Sequence, residues 1–183
     1  MNLPRRVFLD TNVVNFIVDH DAYIFEGEDE DIANLSSRDR ADLEGLRLVF
    51  ETGQRANWEL VVSDTTYAEL LATADENRRR VLLGLFQELW AYWRDCFGED
   101  GTLCDTHARE LARKLELGGV LSMFPDASDR ELLAHAIAYE CDAFCTRDRK
   151  TILQNVDRSP RLSLEIISPA TWGERIEKVA ALF

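Results

Sequence analysis

Histidine, cysteine and proline are all scarce in this chain, at three, four and four residues among 183. His20, His107 and His135 are scattered, which argues against a histidine-centred catalytic group. Cys141 and Cys145 straddle an expected helix-to-strand junction, and Cys96 and Cys104 flank a glycine-containing stretch. Without a second close pair or a clustered histidine this is a poor zinc pattern. Reduced, partly buried thiols are the simpler expectation. Long apolar runs are missing too. None approaches the roughly 18 residues that a membrane span requires, and Met1-Asn2-Leu3-Pro4-Arg5-Arg6-Val7 lacks the apolar region of a signal peptide. A cytoplasmic protein with no membrane partner is expected. Positive charge is in short supply, with 21 Lys and Arg against 34 Asp and Glu and a net charge of −13. Chains that bind nucleic acid over their whole surface are normally basic, because phosphate contacts dominate that affinity. The deficit argues against tight, nonspecific binding. A polyanion would have to approach through local basic patches or through bound metal, and a basic partner is equally compatible.

What is present has the composition of a soluble globular chain, 46% hydrophobic and 30% charged. Its length suffices for one full core and is short for two, so a single domain over 1–183 is expected. Four short apolar runs stand out: Val7-Phe8-Leu9, Leu60-Val61-Val62-Ser63, Ala143-Phe144-Cys145-Thr146 and Leu164 to Ile167. Runs of this kind read as strands buried on both faces of a parallel sheet. Helical stretches separate them. They are Asn12 to Val18, a stretch from Asp42 with Leu43, Leu46, Val49 and Phe50 on one face, Thr65 to Ala74, Glu76 to Trp93, Thr106 to Leu117, one opened by Asp129, and one after Pro169. Strands alternating with helices predict an α/β fold, three-layer α/β/α around a central parallel sheet. Two features stand apart. Asp19 to Arg40 carries the acidic run Glu26-Gly27-Glu28-Asp29-Glu30-Asp31 and reads as a solvated, mobile insertion dispensable for folding, or as a lid near the site. The stripe Val81, Leu82, Leu85, Phe86, Leu89, Trp90 and Trp93 is wide enough to serve both the core and a homodimer or partner interface.

Acidic residues follow the apolar runs. Asp10 comes directly after the first, Glu69 sits in the first turns after the second, Asp129 opens the helix before the third, and Asp148 lies just beyond it. In open α/β sheets, ligands bind beyond the carboxyl ends of the strands. Four carboxylates gathered there raise one another's pKa unless a cation relieves them. Each has a plainer reading. Asp10 and Asp148 suit helix caps, Glu69 closes a capping box with Thr66, and Asp129 suits the first turn of a helix that Ser128 would cap. Asp126 and Asp64 are the neighbours that compete as ligands, and Asp64 looks more like a cap. Asn12, Ser63 and Thr146 offer polar support. Arg130, Arg147, Arg149 and Lys150 lie beside these acids and are candidates for phosphate contacts, with ordinary surface charge as the alternative.

Phe8-Leu9-Asp10-Thr11-Asn12, Ser63-Asp64-Thr65-Thr66-Tyr67-Ala68-Glu69-Leu70, Asp129-Arg130-Glu131-Leu132-Leu133-Ala134-His135-Ala136 and Cys141-Asp142-Ala143-Phe144-Cys145-Thr146-Arg147-Asp148, followed by Ile167-Ser168-Pro169-Ala170-Thr171-Trp172, resemble in order the motifs of PIN-domain ribonucleases. The resemblance implies that Asp10, Glu69, Asp129 and Asp148 hold Mg²⁺ or Mn²⁺, with Asn12, Ser63 and Thr146 in support. It implies single-stranded RNA as substrate, and an antitoxin-type protein partner if the chain is a toxin. Hard oxygen ligands suit those ions. A haloacid-dehalogenase-type phosphatase also begins with strand-Asp, but it needs a second Asp where Asn12 stands. A nuclease-like fold turned binding or regulatory module is the competing expectation, favoured by the acidic surface.

Overall fold

The computed structural model describes residues 3–28, 32–56, 58–97, 101–158 and 162–181. Four strands form one sheet: β1 (Arg6–Leu9), β2 (Glu59–Val61), β3 (Ala143–Cys145) and β4 (Glu165–Ile167), in the order β2-β1-β3-β4. Every pairing is parallel, with Val7 opposite Leu60 and Ala143, and Phe144 opposite Ile166. Successive side chains on a strand point to opposite faces, and the core divides accordingly. Val7, Leu9, Ala143, Cys145 and Ile167 join one apolar cluster. Phe8, Val61, Phe144 and Ile166 join the other. The first cluster is completed by helices α1 (Thr11–Asp19), α2 (Ser37–Ala56), α3 (Asp64–Leu71), α4 (Glu76–Phe97) and α7 (Pro169–Ala180). The second is completed chiefly by α6 (Ala127–Ala138), with α5 (Gly101–Leu117) packed on α6. The expected three-layer α/β/α arrangement around a parallel sheet is the one observed.

Helix bounds differ from the expectation where capping chemistry decides them. The helix expected from Asp42 begins at Ser37, because the Ser36 hydroxyl accepts from the Asp39 amide at 3.1 Å and starts it earlier. The stretch from Asp19 to Arg40 is not a simple solvated loop. Tyr23 and Ile24 are buried in the first core cluster, within a π-helical turn (Ala22–Glu26), and the Tyr23 hydroxyl donates to Glu44 at 2.6 Å. Gly27, at φ +69°, ends that turn in the left-handed conformation that glycine adopts without strain. Asp29, Glu30 and Asp31 lie outside the described residues. A segment with two buried anchors contributes to the core, which corrects the expectation that it is dispensable for folding. In the apolar stripe of α4, Leu82, Phe86 and Leu89 are buried in the first cluster and Val81 is exposed. The side chains of Trp90 and Trp93 lie outside the described residues.

Helices α2 and α7 approach so closely that only glycine fits at their crossing. A Cβ on Gly45 would lie 2.2 Å from the Pro169 carbonyl oxygen, and one on Gly173 would lie 2.6 Å from the Gly45 Cα. Backbone cannot yield as a flexible side chain can. Gly45→Ala should therefore destabilise the protein by about 3 kcal/mol. Gly84, inside α4, is the internal control, because a methyl group there would meet nothing within 4 Å. Gly84→Ala should stabilise by up to about 1 kcal/mol through helix propensity. Urea unfolding of both variants checks the contrast, and equal effects would refute the close-packed crossing.

Candidate functional site

The strand order reverses between β1 and β3, the place where open sheets of this kind leave a crevice. Asp10 leaves the end of β1, and its amide donates to the Cys145 carbonyl at 3.0 Å, which pins it beside the end of β3. It occupies the N-cap position of α1, yet its side chain makes no capping bond. The carboxylate instead accepts from the Thr146 hydroxyl at 2.5 Å and the Asn12 amide at 2.6 Å. Thr146 Oγ1 also accepts from the Asp148 amide at 2.9 Å, so its single proton is left for Asp10. Asn12 is held in turn by the Arg147 amide, at 2.9 Å from its Oδ1. Asp10, Asn12 and Thr146 thus form one hydrogen-bonded unit.

The other three acids are each held by hydroxyl groups. Glu69, on α3, accepts from Thr11 with one oxygen and from Ser128 with the other. Ser128, the expected cap of α6, does not cap it; Asp126 does so by accepting from the Ser128 amide at 2.8 Å. That role for Asp126 leaves Asp129 as the acid facing Glu69 and Asp148. Thr151 lies between Asp129 and Asp148, at 2.8 and 2.6 Å from their carboxylate oxygens. One hydroxyl proton cannot serve both at once. Asp148 also accepts from the amides of Lys150 and Thr151, at 2.8 and 2.7 Å.

Electrostatics binds the four acids into one system. Burial is the main force raising the Asp10 carboxyl from 3.8 to about 7. The Thr146 hydrogen bond opposes it, the charges of Asp129 and Glu69 add to it, and the Asn12 contact lowers it. Asp129 is raised by burial first and then by Asp126, Asp148 and Glu69, against the Thr151 bond. Burial also works to raise Asp148, but the hydrogen bonds from Thr151, Lys150 and Ile152 outweigh it and hold that carboxyl low. Neighbouring carboxyls pushed in opposite directions divide the labour of holding and releasing protons.

The donor set is entirely hard oxygen, and among the described residues the hydrogen bonds on the buried Asp10 side chain come from neutral groups, Thr146 and Asn12. This chemistry fits Mg²⁺ or Mn²⁺ rather than a soft metal. Among the described residues, however, no three His, Cys, Asp or Glu side chains already close around one point. The Thr151 hydroxyl stands between Asp129 and Asp148, and those of Thr11 and Ser128 occupy the two oxygens of Glu69. Cys141 and Cys145 are buried, unpaired thiols, each raised by burial, which accords with an inert role.

Other expected site residues sit elsewhere. Ser63 caps α3 in a reciprocal box with Thr66, both buried, and makes its bonds there rather than to the acids. Glu69 is therefore not the partner of Thr66 in a cap, and Asp64 occupies the first turn rather than the cap, paired with Arg109. Arg147 stacks over the Phe16 ring at 3.4 Å and pairs with Asp39 at 2.5 Å and Asp42 at 3.4 Å. Arg149 pairs with the same buried Asp42 at 2.7 Å. Both guanidinium groups thus brace α2 against the loop after β3. Lys150 is exposed. Arg130 donates to the carbonyl oxygens of Phe124 and Pro125 at 2.8 and 2.9 Å, holding the loop that leads into α6.

Compared with known proteins, the chain matches no family model, no curated protein and no solved structure. Among the described residues, no helix is long and apolar enough to cross a membrane.

Proposed function

We propose that this chain is a Mg²⁺- or Mn²⁺-dependent endoribonuclease acting on single-stranded RNA in the cytoplasm, with the toxin of a toxin–antitoxin pair as one role consistent with that activity. One observation carries the reading: four carboxylates from four separate elements share one electrostatic field at the carboxyl edge of β1 and β3, with Asp10 buried and raised to about 7. A divalent ion held by Asp10, Glu69, Asp129 and Asp148 would supply an activated water and charge neutralisation at the phosphodiester. The chain's own contribution is placement. Thr146 and Asn12 fix Asp10, Thr11 and Ser128 fix both oxygens of Glu69, and Thr151 sets Asp129 against Asp148. Asp148, held low, stays ionised, while Asp129 takes up a proton more readily.

A second reading, a binding or regulatory module, is favoured by the hydroxyl groups that already occupy Glu69, Asp129 and Asp148 and by the net charge of −13. Purified protein incubated with labelled single-stranded RNA discriminates the two. Cleavage should require metal, stop in chelator, return with Mn²⁺ at least as well as with Mg²⁺, and fail for Asp10→Asn. Absence of metal-dependent cleavage on every RNA tried, including after removal of any co-purifying partner, would leave the binding module.

A further inference from the structure

Two arginines adjoin the acid cluster in the chain and are turned away from it. Arg147 and Arg149 are the immediate neighbours of Asp148. The Asp148 carboxylate meets Thr151, which also meets Asp129, whereas both guanidinium groups reach across to the start of α2. There Asp42, only 1% exposed, takes Arg149 at 2.7 Å and Arg147 at 3.4 Å with one oxygen. Its other oxygen accepts from the Ala170 amide at 3.3 Å. Asp39 pairs with Arg147 at 2.5 Å, and the Phe16 ring lies 3.4 Å from the same guanidinium. Two cations and two anions balance within this group.

That balance leaves the acids across the loop with neutral partners. Among the described residues, Asp10, Glu69, Asp129 and Asp148 accept from hydroxyl and amide groups, with no arginine or lysine side chain on any of them. Carboxylates gathered in one place attract any cation within reach. Guanidinium is a strong competitor, being weakly hydrated and shaped to bond a carboxylate through two parallel N–H groups. A buried carboxylate stripped of its cation is strongly disfavoured, so Asp42 holds its arginines more firmly than an exposed acid would. Its charge is also felt at the site's edge. Burial first, then the charges of Asp42 and Asp10, raise the Cys145 thiol at the end of β3.

We propose that Asp42 is a positioning residue for cation binding: it keeps Arg147 and Arg149 off the four acids, so that their charge meets a divalent metal rather than the chain's own arginines. The inference rests on the metal-dependent reading above and extends it to a residue outside the cluster.

Titration of the full chain with Mn²⁺ by calorimetry, without RNA, measures the effect. The binding counted is the part that Asp10→Asn weakens. Asp42→Asn keeps the shape and an acceptor for Arg149 but removes the charge. It should weaken Mn²⁺ by at least about tenfold, because the freed guanidinium then competes at short range for the same carboxylates. Asp42→Asn/Arg149→Gln removes the competitor as well, while Arg147 stays with Asp39 and Phe16. Its affinity should return to within about threefold of wild type, a rescue that a merely structural role for Asp42 would not give. If Asp42→Asn does not fold, Asp39→Asn makes the same comparison at a part-exposed position, with a loss of about threefold that Arg147→Gln in the same chain should reverse. An unchanged Mn²⁺ affinity, or a loss that the second substitution does not reverse, overturns the inference and leaves the ribonuclease reading standing. Wild type that binds Mn²⁺ with the expected loss and rescue but cuts no RNA upholds the inference and overturns the ribonuclease. Wild type that binds no Mn²⁺ overturns both.

Discussion

Asp10→Asn should leave the fold intact and slow metal-dependent cleavage of single-stranded RNA by at least about a hundredfold. The amide is nearly isosteric, and its oxygen can still accept from Thr146 and Asn12, which now reach a single carboxylate oxygen of Asp10. What is lost is one negative charge at the position where four acids would share a cation. Stabilising the charge that develops at phosphorus and on the leaving oxygen often contributes more than any other effect in such reactions, several kcal/mol. A loss of about 3 kcal/mol corresponds to roughly a hundredfold in rate. Glu69→Gln, Asp129→Asn and Asp148→Asn should behave alike, because each removes one charge from the same field. In Asp148→Asn the amide oxygen can keep the bonds from Lys150 and Thr151 while its nitrogen donates to the Thr151 hydroxyl, freeing that proton for Asp129. Asp126→Asn should be mild, since asparagine caps a helix about as well as aspartate. Asp64→Asn should also be mild, losing a part-exposed pair with Arg109. Single-turnover cleavage of the six variants separates the groups. Full activity in any of the first four removes that acid from the site.

The parts of the site that can be read from sequence are those governed by short-range rules. Val7-Phe8-Leu9 is apolar on both faces and Asp10 follows at once, so strand and acid declare each other. The α/β class follows from the same runs, because continuous apolar strands require helices on both faces. Helix starts are less secure. Ser63, Asp64, Asp126 and Ser128 all satisfy capping preferences, and only the fold decides which of them turns its side chain to the backbone. That choice matters, because Ser128 is thereby released to hold Glu69. Thr11 and Thr151 stand one and three residues from Asp10 and Asp148, and a hydroxyl so close to a carboxylate is a usable signal. Arg109 has none. It meets Asp64 across 45 positions of sequence, through packing of α5 that no local pattern encodes. Asp39 and Asp42 are likewise unremarkable until Arg147 and Arg149 fold onto them, drawing the start of α2 to the edge of the site. Tyr23 and Ile24 are visible as the apolar residues of the acidic stretch, and the run of charge beside them masks their role as anchors.

Stability should carry the same signature as activity, with the opposite sign. Asp10 in the folded chain holds its proton up to about pH 7, whereas the unfolded chain releases it near 3.8. Between those values the folded state binds more protons than the unfolded one, so the contribution of Asp10 to stability falls as pH rises through that window. Below 3.8 the group is neutral in both states, and its burial costs no charge. Above about 7 it is charged in both, and the whole difference opposes folding, about 4 kcal/mol for a gap of about three pH units. In chelator, wild-type protein should therefore lose stability between about pH 4 and about pH 7 more steeply than Asp10→Asn. At about pH 8 the variant should be the more stable by about 2–4 kcal/mol, since it carries no buried charge and can keep both hydrogen bonds. Mg²⁺ should reverse the order. A ligand bound by the native state alone adds about 2.7 kcal/mol at about a hundred times its Kd, and wild type, with the full set of charges, should gain more than the variant. Urea unfolding at about pH 5 and about pH 8, each with chelator and with Mg²⁺, reads all four values. Parallel pH profiles for the two proteins in chelator would mean that Asp10 is not the buried acid that repels its neighbours. An equal gain from Mg²⁺ in both would place the ion elsewhere, and with it the reason for gathering four acids at this edge of the sheet.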